Sequence, residues 1–286
     1  MSDYIPMIRN HGMYIRWVPD EFRTKKLCQI AVRQSGFSLQ YVPFGLQTRD
    51  LCLIAIQQNG EALAVVPTRF VTEEICKIAI RRHGCALNFV PNEFRSAAMC
   101  HRAVIENGRA LEFVPPLLKT AYLCDIAVKK HGSALEYVPP ELQTDELCRV
   151  AVRDYAFALK YVLPELRSVH ICTIALKKNG VLLHFVPMEL RSEYLCRIAL
   201  RQLGCALRYV PDELQSEQLC LVAVSNSGIA LEYVLPEFQT KKLCMAAVQQ
   251  NAMALQYVPD ELKSERMCLA AVKQSGNGLQ FVPMPL

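Results

Sequence analysis

The sequence predicts an all-α solenoid of about twelve 24-residue helical repeats, each with one longer α-helix and one short α- or 3₁₀-helix. The first observation is a cysteine that recurs every 24 residues, at Cys28, Cys52, Cys76, Cys100, Cys124, Cys148, Cys172, Cys196, Cys220, Cys244 and Cys268. The second is a phrase of constant register around it, which reads SEYLCRIALRQLGCALRYVPDELQ from Ser192 to Gln215. A short fixed period is typical of repeat proteins, in which each unit buries its apolar face against its neighbours.

The first element of each repeat is predicted to be an α-helix. Ser192 belongs to a column that holds only Ser or Thr in all eleven full copies, and such hydroxyls cap helix N-termini. The helix then runs to about Leu203, and Gly204 is placed to end it in the left-handed conformation. Its broad apolar stripe predicts that the helix is covered on two sides.

The second element follows the glycine. We expect a short helix, partly 3₁₀, over residues 206–210, with Leu207 and Val210 facing inward. Pro211 favours one further turn as far as Leu214. A strand is the competing interpretation, but the scarcity of β-branched residues favours a helix. The leucine column, which consists of Leu207 and its equivalents every 24 residues, is expected to be almost fully buried in all eleven full copies. The aromatic column of Tyr209 is assigned to the core.

The repeats predict one continuous solenoid domain. Residues 1–23 form a degenerate N-terminal capping repeat in which Pro6 interrupts the helix, and residues 24–286 hold eleven tandem repeats. Ala156 and Ala252 replace the glycine, and an alanine in the left-handed conformation costs about 1 kcal/mol. The final segment, FVPMPL, lacks a polar capping helix. That leaves end-to-end self-association or further chain in the natural protein as alternatives.

The composition predicts a protein of a reducing compartment, cytoplasmic or translocated into a host cytosol. No apolar run reaches the about 18 residues of a membrane span, and the N-terminus lacks the apolar segment of a secretory signal. The thirteen cysteines include no CxxC pair and no Cys/His cluster with zinc-finger spacing. We therefore expect free, buried thiols, no metal and no membrane partner.

No catalytic constellation is visible. Nearly every polar residue belongs to a column that repeats along the chain, whereas catalysis needs distinct residues that meet in a pocket. Phosphate-binding glycine loops, nucleophile elbows and metalloprotease motifs are also missing from the sequence. We expect a protein that is not an enzyme and has no cofactor.

Charge is patterned along two edges. A basic stripe occupies the two columns that end the first helix, with Arg33, Arg81, Arg82, Lys129, Lys130, Lys177, Lys178 and Arg201 as its candidate binding residues. An acidic column holds Glu21, Glu93, Glu141, Glu165, Glu189, Glu213, Glu237 and Glu261. The stripe could bind a nucleic acid or an acidic partner, or its bases could simply suit helix C-termini. The second interpretation is favoured, because the stripe lapses at Gln57–Gln58, Ser225–Asn226 and Gln249–Gln250.

A candidate partner-binding strip lies in the C-terminal third. The column after the repeat cysteine turns apolar at Leu221, Met245 and Leu269, and the column after the glycine does the same at Ile229 and Met253. Contiguous exposed apolar surface often marks an interaction site. The alternatives are that curvature buries this column or that it pads an uncapped end.

The joint pattern of Leu-Cys-x-x-Ala and Ala-Leu-x-Tyr-Val-Pro resembles the repeat catalogued as a domain of unknown function, numbered about 4116. That repeat is seen in tandem in protist proteins and in proposed effectors of bacteria that live inside protists. The resemblance covers residues 24–286 and implies no catalytic residues. The expected function is a non-catalytic scaffold that binds a protein partner, as a bacterial effector or a protist adaptor. The alternatives are a nucleic-acid-binding solenoid and a designed repeat array without natural function.

Overall fold

The computed structural model describes residues 4–283, and within them the chain forms only α-helices, 3₁₀-helices and connecting turns. The predicted all-α repeat fold is therefore confirmed, and the strand alternative is wrong for this part of the chain. The chain divides into two compact units, Met1–Gln143 and Thr144–Leu286, each of which is a stack of repeats. Residues 284–286, within the predicted uncapped end, lie outside the described residues.

Each repeat consists of one α-helix followed by 3₁₀-helices. The first unit contains α1 Tyr4–Asn10, α2 Lys25–Gln34, α3 Arg49–Gln58, α4 Glu73–Arg82, α5 Ala97–Glu106 and α6 Ala121–Lys130. The second contains α7 Asp145–Asp154, α8 Val169–Lys178, α9 Glu193–Gln202, α10 Glu217–Asn226, α11 Lys241–Gln250 and α12 Glu265–Gln274. Pro6 lies inside α1, so the expected interruption of that helix is wrong.

The six-residue 3₁₀-helices that follow the α-helices are Gly12–Trp17, Gly36–Tyr41, Gly60–Val65, Gly84–Phe89, Gly108–Phe113, Gly132–Tyr137, Ala156–Tyr161, Gly180–Phe185, Gly204–Tyr209, Gly228–Tyr233, Ala252–Tyr257 and Gly276–Phe281. Three-residue 3₁₀-turns then lead to the next repeat, at Asp20–Phe22, Phe44–Leu46, Thr68–Phe70, Asn92–Phe94, Pro116–Leu118, Pro140–Leu142, Pro164–Leu166, Met188–Leu190, Asp212–Leu214, Pro236–Phe238 and Asp260–Leu262. The short helix and the further turn agree with the prediction.

The Ser/Thr column caps the α-helices as expected. Thr120 Oγ1, for example, accepts a hydrogen bond from the Leu123 backbone N–H at 3.2 Å. The same bond forms at the start of every helix from α2 to α12 except α9, where the Ser192 side chain makes no capping bond. The hydroxyl column therefore fixes where each repeat begins its helix.

The repeat glycine has a different role from the one predicted. The α-helix ends at an extended residue such as Ser35 (φ −148°), and Gly36 starts the next helix without a left-handed conformation. A Cβ atom on Gly36 would lie 2.4 Å from the carbonyl oxygen of Ala55 in the next repeat. The glycine therefore serves close packing between repeats, and the left-handed conformation expected at Ala156 and Ala252 is wrong, because both residues start the same 3₁₀-helix.

The core consists of the same columns in every repeat. In α9 the buried residues are Leu195, Cys196, Ala199 and Leu200. The leucine column is buried at ten of its eleven positions, and within each unit the next repeat covers it. Leu279 is the exception at 64% exposure, since no described repeat follows it. The prediction of burial is confirmed for ten copies and wrong for the last.

A polar column at the end of each repeat links neighbouring repeats, and sequence analysis missed it. We call it the staple column: Arg23, Gln47, Val71, Arg95, Lys119, Gln143, Arg167, Arg191, Gln215, Gln239 and Lys263. The guanidinium of Arg191 donates to the main-chain carbonyls of Val186 (2.9 Å) and His184 (3.3 Å), and to that of Tyr209 in the next repeat (2.8 Å). Arg23 and Arg167 make the equivalent three bonds. Val71 is the one member that cannot donate.

Candidate interaction surface

The aromatic column is half-buried to exposed, which corrects its assignment to the core. Its described members are Trp17, Tyr41, Phe89, Phe113, Tyr137, Tyr161, Phe185, Tyr209, Tyr233, Tyr257 and Phe281, with Val65 as the aliphatic exception, and none of them is buried. Trp17 is 67% exposed. The column sits at the end of the 3₁₀-helix, where Val210 and its equivalents take the inward position instead. The aromatic rings are therefore available for contacts outside the repeat.

In the second unit, the residues that precede these aromatics fill the spaces between successive rings. The His184 imidazole lies 5.1 Å from the ring centroid of Phe185 and 5.1 Å from that of Tyr209 in the next repeat. The Arg208 guanidinium lies 5.5 Å from the Tyr209 ring and 5.3 Å from the Tyr233 ring. These are aromatic and cation–π contacts, which add to the burial of apolar area.

Glu232 continues the same arrangement by one more repeat. A hydrogen bond to Glu232 raises the pKa of the Tyr233 phenol. Burial, followed by the charge of Glu232, raises the pKa of Tyr257 in the next repeat. We define the aromatic ladder as Phe185, Tyr209, Tyr233 and Tyr257 with the intervening His184, Arg208 and Glu232. It is a continuous surface over four consecutive repeats.

Two of the predicted partner-binding residues flank the ladder. Ile229 and Met253 start the turn that leads to Glu232 and Gln256, three residues later, and residues three apart are neighbours on a 3₁₀-helix. Ile229 is 37% exposed and Met253 is half-buried. These two apolar side chains therefore widen the ladder.

The other three predicted partner-binding residues lie on different elements. Leu221, Met245 and Leu269 belong to α10, α11 and α12; the first two are half-buried and Leu269 is 50% exposed. The structure thus splits the five predicted residues between two sets of helices.

All eight predicted residues of the basic stripe are exposed. Some of them also stabilise the fold: the Lys130 ammonium donates to the Ile105 carbonyl, and that of Lys178 donates to the Arg153 carbonyl in the preceding repeat. Gln58 occupies the same column and donates to the Gln34 carbonyl at 3.3 Å. Part of the stripe therefore serves as a polar link to the end of the preceding helix.

The repeat cysteines are buried, as predicted. Burial raises the pKa of most of these thiols, for Cys148 and Cys196 from 9.0 to about 11. Cys85 and Cys205 are half-buried, and all thirteen are free thiols. Between residues 4 and 283, no three potential ligands among His, Cys, Asp and Glu are grouped closely enough to hold a metal ion.

An open and mostly apolar cleft at α12 is lined by Glu265, Cys268, Leu269, Val272, Leu279 and Val282. It includes the surface that, in other repeats, the next repeat covers. End-to-end self-association through this surface stays a prediction. None of the helices in the described part of the chain is long and apolar enough to cross a membrane.

The fold and the surface define a helical-repeat protein that carries an aromatic ladder on its second unit. The family model described as Domain of unknown function (DUF4116) matches residues 6–47, 48–95, 123–167, 192–239 and 240–285, and the chain belongs to this family. The predicted resemblance is confirmed. Searches of curated proteins and of solved structures found no match to this chain.

Proposed function

We propose that this protein is a non-catalytic repeat scaffold that binds a protein partner through the aromatic ladder. The observation that carries the proposal is the composition of the ladder. Tyr and Arg side chains dominate the energetics of protein interfaces, because they combine large rigid surfaces with hydrogen-bonding ends. Here Arg208 lies between the rings of Tyr209 and Tyr233, on a surface that no other part of the second unit covers completely.

The staple column supports the proposal, because it holds the main chain of the ladder in place. Arg191 binds the carbonyls of His184 and Tyr209, which belong to two consecutive ladder positions. A surface that is rigid before binding loses less conformational entropy when a partner docks. The ladder is therefore suited to binding without rearrangement.

The proposed cellular role is inferred from the resemblance to the family and from the buried thiols. The scaffold would act in a reducing cytosol, as an adaptor of its own cell or as an effector in a host cell. The buried cysteines support a reducing compartment, where free thiols persist.

The test of the scaffold function is site-specific photo-crosslinking in the full chain. A photoreactive amino acid at position 208 should crosslink a protein from lysate of the source or host cell. The same amino acid at position 194 provides the control, since Tyr194 is 59% exposed on α9, outside the ladder. Equal crosslinking at both positions would contradict a binding site on the ladder.

A second candidate function is nucleic-acid binding, and the surface position of the aromatics favours it more than the sequence did. Single-stranded nucleic acids bind where aromatic platforms run beside positive charge. In the second unit, however, the basic stripe lapses at Ser225 and Gln249, beside the same repeats that carry the ladder. An affinity for single-stranded RNA that falls steeply with salt would support this candidate.

A further inference from the structure

We propose that the aromatic ladder recognises a proline-rich, basic peptide segment in the polyproline II conformation, with three peptide residues to each protein repeat. This inference rests on the proposed scaffold function and specifies the chemistry of the partner. It follows from the spacing of the rings, their chemical type and the charge beside them.

The stacking of the repeats sets a ring spacing close to the rise of one polyproline II turn, since packed helices lie about 8–10 Å apart. Because His184 lies 5.1 Å from both rings, Phe185 and Tyr209 are at most about 10 Å apart. Arg208 sets a similar limit for Tyr209 and Tyr233. Three residues of a polyproline II helix make one full turn and rise about 9.3 Å, so every third side chain can meet the next ring. A β-strand returns to the same face every two residues, after about 6.7 Å, and does not keep this register.

The chemistry of the ladder fits the same ligand. Aromatic-lined surfaces bind proline-rich segments, because the polyproline II helix is already formed and little entropy is lost on docking. Ile229 and Met253 add apolar surface beside the rings. The staple bonds of Arg191 fix the main chain beneath Tyr209, so the rings form a pre-ordered row.

Arg208 and Glu232 within the ladder balance each other in charge, so the acidic column beside the ladder decides for a basic peptide. The acidic column continues without interruption through the second unit, at Glu165, Glu189, Glu213, Glu237 and Glu261, and every one is exposed. Glu213 follows the ladder residue Tyr209 by four positions, on the next 3₁₀-turn. Across residues 4–283, none of these five carboxylates is in an ion pair. They would attract Lys and Arg of a peptide and repel the phosphates of a nucleic acid.

The experiment measures fluorescence anisotropy of a labelled peptide that repeats Pro-Pro-Arg four times, titrated with the full chain. Two control peptides have the same length and charge: one repeats Gly-Ser-Arg, and the other groups all its arginines at one end of a proline run. We expect the Pro-Pro-Arg peptide to bind at least about tenfold more tightly than either control. Equal binding of the Gly-Ser-Arg peptide would overturn the proposal, since charge alone would then explain the affinity.

Variants locate the binding site. Tyr209→Ala and Tyr233→Ala should each weaken peptide binding about tenfold, the typical effect of removing an aromatic anchor, whereas Tyr194→Ala should leave it unchanged. Glu213→Gln with Glu237→Gln should weaken it too, and these exposed positions leave the fold intact even if a tyrosine variant unfolds. Circular dichroism verifies folding. Binding that survives both sets of changes would overturn the proposal.

The outcomes separate this inference from the scaffold function. Loss of the crosslink at position 208 in the ladder variants, combined with no affinity for the peptide, would overturn the polyproline II inference and leave the scaffold function intact. Direct binding of single-stranded RNA to the full chain at physiological salt, lost in the ladder variants, with no protein crosslinked at position 208, would overturn both.

Discussion

Arg191 should contribute more to stability than any exposed ion pair of the protein. Its guanidinium makes three hydrogen bonds to main-chain carbonyls, and the one to Tyr209 links two repeats. Hydrogen bonds to a charged group contribute about 1.5–3 kcal/mol each, and partial exposure lowers that value. Arg191→Ala should therefore lower the free energy of unfolding by about 2–4 kcal/mol, because it leaves carbonyls without a partner.

The assay is urea denaturation followed by circular dichroism, with Arg197→Ala as the matched control. Arg197 lies at the start of the following repeat and, among the described residues, forms an ion pair with Glu193 alone, four residues earlier on an exposed helix face. Such pairs contribute about 0.3–0.5 kcal/mol. If Arg191→Ala and Arg197→Ala cost the same, the staple has no special role and the reasoning is refuted.

The staple column lacks a side-chain donor at Val71, so adding an arginine there tests the effect of gaining the staple bonds. Val71→Arg places a guanidinium near the carbonyls of Val66 and Phe89. By their position in the repeat, these two carbonyls are equivalent to two of those that Arg191 binds. The variant should gain about 1–2 kcal/mol, less than the loss at Arg191, because a new arginine also loses rotamer freedom. A loss of stability would show that the backbone around residue 71 differs from that of the other repeats.

Three further predictions concern the core. Gly84→Ala should lower the free energy of unfolding, measured by urea denaturation, by about 1–3 kcal/mol, since its Cβ would lie 2.3 Å from the Ala103 carbonyl oxygen. Gly276→Ala is the control and should be neutral, because a Cβ atom there would have nothing within 4 Å. Leu135→Ala should cost about 2–5 kcal/mol by the same assay, and Leu279→Ala much less, because Leu135 is fully buried and Leu279 is not. Thermal stability should be fully present below pH 9 and fall as the pH rises to about 11, because folding raises the pKa of buried thiols such as Cys148 and the unfolded chain releases their protons more readily. A melting temperature that is constant from pH 8 to 11 would contradict the burial of the thiols.

Most of the fold could be predicted from the sequence, because repetition makes each column visible. The Ser/Thr column, the buried leucine column and the short second helix all follow from local chemistry that recurs every 24 residues. The role of the glycine could not be predicted the same way. A glycine after a helix has two physical explanations: its backbone is left-handed, or another part of the chain packs too closely to leave room for a Cβ atom. Only the position of the Ala55 carbonyl in the structure shows that the second explanation holds.

The candidate site was harder to predict, because it depends on contacts between repeats. An aromatic column looks the same in sequence whether it faces the core or the surface. The contacts of His184 and Arg208 join residues 25 positions apart, and the period alone does not show which columns meet. The staple column could have been found, since ten of its eleven members are Arg, Lys or Gln. Long donors at a fixed position before each helix indicate a repeated hydrogen bond to the backbone.

The most direct test of the central claim compares two double variants of the full chain. Tyr209→Ala with Tyr233→Ala removes two ladder rings, whereas Lys177→Gln with Arg201→Gln neutralises two exposed members of the basic stripe. Partner capture is measured for both at low and high salt. Our account predicts that only the ladder variant loses the partner and that high salt weakens capture modestly. Loss of capture in the basic-stripe variant alone, with a steep salt dependence, would contradict it.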